Sequence, residues 1–125
     1  MKITTANRGR TAVMTISGRI DVYTASSVGE AIQSLIVAGA ANVVLDLTSV
    51  TRLDSSGLGT LVGNSKSITS LGGVLSLVGA GEGIRRMLEI TSLAKYFRIH
   101  DRVEEALDEL EACGAGRAPS WAGGN

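Results

Sequence analysis

The run Asn42-Val43-Val44-Leu45-Asp46-Leu47, which leads on to Asp54-Ser55-Ser56-Gly57, sets the expected fold. A short aliphatic stretch with two β-branched residues marks a strand covered by helices, because a strand buried on both faces has no reason to alternate. After Gly57 the period changes. Leu58, Leu61, Val62, Ser65 and Ile68 fall on one helical face, and Leu71-Gly72-Gly73 closes it. Asp54 to Gly57 should therefore form a loop at a strand-to-helix junction.

Upstream, Thr11 to Ser17 alternates, with Ala12, Met14 and Ile16 on one face, and stops at Gly18. With Lys2 to Thr5 and the turn residues Asn7-Arg8-Gly9, the first 17 residues read as an antiparallel hairpin. Thr24 can cap a helix through Val28, Ala31, Ile32, Leu35 and Ile36 that ends at Gly39. Downstream, Val74 to Val78 reads as a second buried strand. A helix carrying Ile84, Met87, Leu88 and Leu93 follows Gly81-Glu82-Gly83, and Tyr96 to Ile99 suggests a short edge strand. Asp101 is placed to cap a last helix through Glu111, with Val103, Ala106, Leu107 and Leu110 inward. The expectation is one α/β domain over residues 1–112, with a mixed sheet, an N-terminal hairpin and about four helices. Residues 113–125, rich in Gly, Ala, Ser and Pro, are expected to be a disordered tail.

Composition narrows the function classes. At 125 residues the chain suits one core better than two. Residues 1–100 carry ten Lys/Arg against six Asp/Glu, and residues 101–125 two against six, so a basic nucleic-acid binder is disfavoured. The aromatics are Tyr23, Tyr96, Phe97 and Trp121 alone, too few for a base-stacking platform. The single Cys113 offers neither an internal disulfide nor a metal set. No apolar run approaches the roughly 18 residues of a membrane span, and no secretory leader is evident, so a cytoplasmic protein without membrane attachment is expected. Gly79 to Gly83 lacks the full dinucleotide fingerprint and any Walker lysine, so it reads as a turn. Arg85-Arg86 and His100 read as surface residues, and no cofactor or metal is implied.

Asp54, Ser55 and Ser56 can each cap a helix, yet a cap needs one oxygen, and the Glu or Gln of a capping box is missing. Gly57 and Gly59 each cost about 0.8–1 kcal/mol relative to alanine in a helix. Close approach by a partner is one reason to accept that cost, and it favours a functional over a purely capping role.

These residues also carry a family resemblance. Asp54-Ser55-Ser56-Gly57-Leu58-Gly59 after Leu45-Asp46-Leu47 resembles the STAS domains of bacterial anti-sigma factor antagonists, as do Gly18 to Ala25 and Ile84 to Leu93. The likeness covers about residues 10 to 110. It implies that Ser56 is phosphorylated by a serine-kinase anti-sigma factor, with Ser55 the neighbour to exclude. The unphosphorylated form would bind that kinase and free a sigma factor, and a metal-dependent serine phosphatase would reverse the modification. Asp21, Thr24, Asp54, Ser55 and Gly57 become the expected partner-binding residues, in a protein that is a substrate and not an enzyme. The alternatives are a scaffold or sensor subunit with the same fold, and a weak nucleotide-binding module.

Overall fold

The computed structural model describes residues 1–112, so the expected tail lies outside the described residues. The elements are β1 (Lys2–Arg8), β2 (Thr11–Ile20), α1 (Ala25–Val37), β3 (Asn42–Leu53), α2 (Ser55–Ser70), β4 (Leu75–Val78), α3 (Glu82–Thr91), a 3-10 turn (Ala94–Tyr96), β5 (Arg98–His100) and α4 (Val103–Ala112). One sheet runs in the order β1-β2-β3-β4-β5. β1 is antiparallel to β2, and the remaining pairs are parallel. This is the mixed sheet with a leading hairpin and four helices that the sequence predicts. The hairpin turns at Gly9-Arg10, where Gly9 takes a φ of +63° that side-chain-bearing residues rarely adopt.

Strand pleating sends alternate side chains of β3 to opposite faces, and both faces are covered. Val43, Leu45 and Leu47 join Met14, Ile16, Leu75 and Leu77 beneath Val28 and Ile32 of α1, Leu58, Leu61 and Ile68 of α2, and Ile84 and Leu88 of α3. Val44, Val74 and Val78 face the other way, onto Ala106 and Leu110 of α4. The aliphatic run at 43–47 is continuous because helices sit on both sides of it. Asn42 is one of the buried polar residues of this sheet. It is 3% exposed, and its side-chain oxygen accepts a hydrogen bond from the Val74 N–H at 3.0 Å, tying β3 to the approach to β4.

β3 does not stop at Leu47 as the aliphatic signal implies; it continues to Leu53. β4 pairs with it only from Val43 to Asp46, so beyond that point its neighbour is β2 alone. The two strands run on as a ribbon to the pairs Arg19↔Arg52 and Ile20↔Leu53. Thr48, Ser49, Thr51 and Arg52 are exposed there. A strand with open faces needs no apolar run, which is why the sequence concealed it. β2 likewise passes through Gly18, where the register shifts, instead of ending at it.

The expected Asp101 cap is also corrected. The Asp101 carboxylate pairs with Arg85 at 2.5 Å, and the first turn of α4 begins from the Arg102 carbonyl, which accepts from the Ala106 N–H. Arg85 is thus engaged within the domain. α4 is fastened to β5 by Arg98, whose guanidinium donates twice to Glu109, at 3.0 and 2.6 Å, with His100 Nε2 3.2 Å from the same carboxylate. The Arg98 hydrogen bonds hold the Glu109 carboxyl below the usual glutamate range; burial opposes them, and His100 adds to the lowering.

A carboxyl lowered on folding contributes stability above its unfolded pKa, roughly 4.3, and loses it as pH falls through its folded value. Glu109→Gln should therefore lower the thermal midpoint at pH 7, and the gap from the native chain should close as the pH is taken below about 4. A gap independent of pH would show that the pair does not act through charge. Asn42→Ala should cost about 1–3 kcal/mol by leaving the Val74 N–H buried and unsatisfied, measurable by urea unfolding.

Candidate functional site

The ribbon of β2 and β3 delivers two chain segments to one end of the sheet. At the end of β3, Asp54 is extended, and its Oδ1 accepts from the Gly57 N–H at 3.0 Å, a helix cap. The Leu58 N–H donates to the Asp54 carbonyl at 2.9 Å and completes the first turn. Ser55 and Ser56 therefore lie in the first turn of α2 and not in a loop, and both are exposed. One oxygen does cap the helix, as a purely structural role requires, and it belongs to Asp54. The Ser56 hydroxyl makes no hydrogen bond among the described residues. Helix geometry leaves the first backbone N–H groups of α2 without intrahelical acceptors and gives this end a partial positive charge.

Gly57 has an internal reason. A Cβ there would lie 2.6 Å from Leu53 Cδ1, 2.7 Å from Ile20 Cγ2 and 2.8 Å from the Ile20 carbonyl oxygen. The residue is buried, and its lack of a side chain lets α2 seat on the end of the ribbon. The close approach that the structure shows at Gly57 is that of the protein's own β2. Gly59 differs: it is exposed, and a Cβ there would meet nothing within 4 Å. The packing of the described residues does not require that glycine.

The second segment is the turn after β2. The Asp54 N–H donates to the Ile20 carbonyl at 3.1 Å, setting this turn beside the start of α2. Thr24 occupies the N-cap position of α1 without capping it. Its hydroxyl donates back to the Arg19 carbonyl at 2.9 Å and accepts from the Asp21 N–H at 2.9 Å. Asp21 Oδ1 accepts from the Tyr23 N–H at 2.9 Å and the Thr24 N–H at 3.2 Å. Desolvation works to raise the Asp21 carboxyl, but hydrogen bonds from the Tyr23 backbone and from the Thr24 side chain and backbone, with the Arg19 charge, hold it below the usual aspartate range. Asp21 and Thr24 thus lock a turn.

That turn displays two residues the sequence reading did not single out. Tyr23 is 87% exposed and Val22 63%. A readable signal existed: an apolar pair between two turn-fixing residues belongs to neither the preceding strand face nor the following helix face. The structure therefore brings together Asp21, Thr24, Asp54, Ser55, Ser56 and Gly57. Among the described residues no group of three or more His, Cys, Asp or Glu could hold a metal ion, and no helix is long and apolar enough to cross a membrane.

The family model of the STAS domain matches residues 2–106. A Thermotoga neapolitana protein, provisionally named an anti-sigma factor antagonist and homologue of TM1081, is 39% identical over 69 residues, which cover 55% of this chain. The matches to it and to a Thermotoga maritima relative span about three fifths of those proteins, 61% and 60%. The anti-sigma-B factor antagonist of Listeria monocytogenes is 38% identical over 84 residues, covering 67% of this chain and 74% of that protein. Among solved structures, an anti-sigma factor antagonist from Mycobacterium paratuberculosis superposes with a TM-score of 0.79 at 26% identity, covering 88% of this chain and 93% of that one.

The two glycines of the first turns should separate experimentally. Gly57→Ala pushes a methyl against the Ile20 backbone and should destabilise by about 1–3 kcal/mol. Gly59→Ala should be neutral or stabilise by up to about 1 kcal/mol. Urea unfolding of both variants measures the difference, and a Gly57→Ala chain as stable as the native one contradicts the packing account.

Proposed function

This chain belongs to the STAS domain family, and from that premise we propose that it is an anti-sigma factor antagonist switched by phosphorylation of Ser56. In this reading the unphosphorylated form binds a serine-kinase anti-sigma factor and releases its sigma factor. The kinase transfers phosphate from ATP to the Ser56 hydroxyl, the complex separates, and a metal-dependent serine phosphatase restores the binding form. The chain acts as substrate and ligand in the cytoplasm, not as an enzyme, and does not touch nucleic acid directly.

The observation that carries the reading is the Ser56 hydroxyl itself, exposed and without a hydrogen-bond partner among the described residues, beside the locked turn bearing Val22 and Tyr23. Exposed tyrosines held on a fixed backbone are efficient anchors, since little freedom is lost on binding. Asp21, Thr24, Asp54, Ser55 and Gly57 shape the contact surface in this proposal, Gly57 by letting α2 sit close against β2. A phosphate on Ser56 brings about −1.5 to −2 charges next to the Asp54 carboxylate, so an interface fitted to a neutral serine is lost. The same phosphate is favoured by the N-terminal end of α2, so the fold tolerates it.

Incubation with a kinase-type anti-sigma factor and ATP, followed by mass spectrometry, should place the phosphate on Ser56 and on nothing else; modification that survives Ser56→Ala overturns the assignment. Ser56→Asp should weaken kinase binding at least about tenfold while its thermal midpoint stays within a few degrees of the native chain. Tyr23→Ala should weaken the unphosphorylated complex by a similar factor, with no loss of stability. Unfolding of Ser56→Asp would show that the charge acts on the fold instead of the interface.

A further inference from the structure

At the far end of α2 lies a cavity of about 640 Å³ that the proposed function does not use. Ser56 and Ser70 are separated by 14 positions, about 21 Å along the helix. Val74, Leu75 and Phe97, at the beginnings of β4 and β5, supply its apolar wall and are all at least nine-tenths buried. Its rim carries Lys66 from α2 and Lys95 from the 3-10 turn, with both ammonium groups over the Tyr96 ring, 5.2 and 5.5 Å from its centre. The backbone at Tyr96 is fixed from below by the buried Ser65, whose hydroxyl donates to the Tyr96 carbonyl.

The charges are one-sided. The cavity is lined by three cationic residues and no acidic one, in a chain whose formal charges cancel. Arg98 is engaged by Glu109, whereas neither Lys66 nor Lys95 has a carboxylate within ion-pair distance among the described residues. Two like charges are thus gathered on one aromatic ring, at the mouth of an apolar hollow, without a counter-charge. Sites of about 300–1,000 Å³ with apolar walls and a few convergent polar groups are the usual form of a small-molecule pocket.

We propose that this cavity binds a small organic anion, with its apolar body against Val74, Leu75 and Phe97 and its carboxylate or phosphate headgroup between Lys66 and Lys95. The Thr69 hydroxyl at the rim adds a donor for the same headgroup. The chemistry shared by the two headgroups is a compact anion recognised by paired ammonium groups, and the site is independent of phosphorylation at Ser56.

The test titrates the full-length chain, followed by nuclear magnetic resonance, with octanoate and with phenyl phosphate, using octanol and inorganic phosphate as single-feature controls. Saturable shifts confined to residues of the cavity are expected with at least one of the two amphipathic anions, and the better of them identifies the headgroup. The double variant Lys66→Met, Lys95→Met should weaken that binding at least about tenfold, and the charge-retaining Lys66→Arg, Lys95→Arg should keep it within about threefold. Both lysines are exposed, so the variants should fold, and the thermal midpoint verifies it. No saturation by either anion up to about 10 mM overturns the proposal. So does equal binding of octanol, or of inorganic phosphate alone, or binding undiminished in the methionine variant.

Discussion

The parallel pairing of β2 with β3 beyond the limits of the rest of the sheet is the constraint on which the site depends. Its last pair, Ile20↔Leu53, is continued by the Asp54 N–H bonded to the Ile20 carbonyl. From that point three consequences follow together. The turn after β2 is fixed beside the start of α2, α2 can seat only if residue 57 lacks a side chain, and Ser56 is held on the outer side of the same helical turn. The core under the helices gives the domain its stability, but the ribbon decides what stands next to what.

The arrangement also divides labour in a way that suits a switch. Asp54 satisfies the Gly57 N–H at the helix start, and Asp21 and Thr24 satisfy N–H groups of the neighbouring turn, all without any contribution from the serine side chains. A side chain that does no structural work can change charge without disturbing the fold. A locked backbone also presents Val22 and Tyr23 with little conformational freedom left to lose on association. In the proposed switch, charge control and contact surface would rest on separate supports.

Where an element is buried, the sequence disclosed it. The run Val43 to Leu47, the helical spacing from Leu58 to Ile68 and the alternation of Ala12, Met14 and Ile16 are direct imprints of faces excluded from water. Where an element is held by backbone pairing alone, it leaves little imprint, and the exposed stretch Thr48 to Arg52 carries no buried-strand signal. Polar side chains are ambiguous for a different reason. Thr24 and Asp101 sit where caps are expected, but each found a nearer partner, Arg19 and Arg85, that only the folded chain provides.

The sequence by itself thus determined the α/β class and the mixed sheet with its leading hairpin, because hydrophobic period is written along the chain, and its local motif made Ser56 and its neighbours the expected site. Tertiary structure alone decided why Gly57 is a glycine and that the turn bearing the exposed Val22 and Tyr23 is set beside the start of α2. Those facts depend on the distance between residues 20 and 57, which the strand register sets and which no local pattern of side chains encodes.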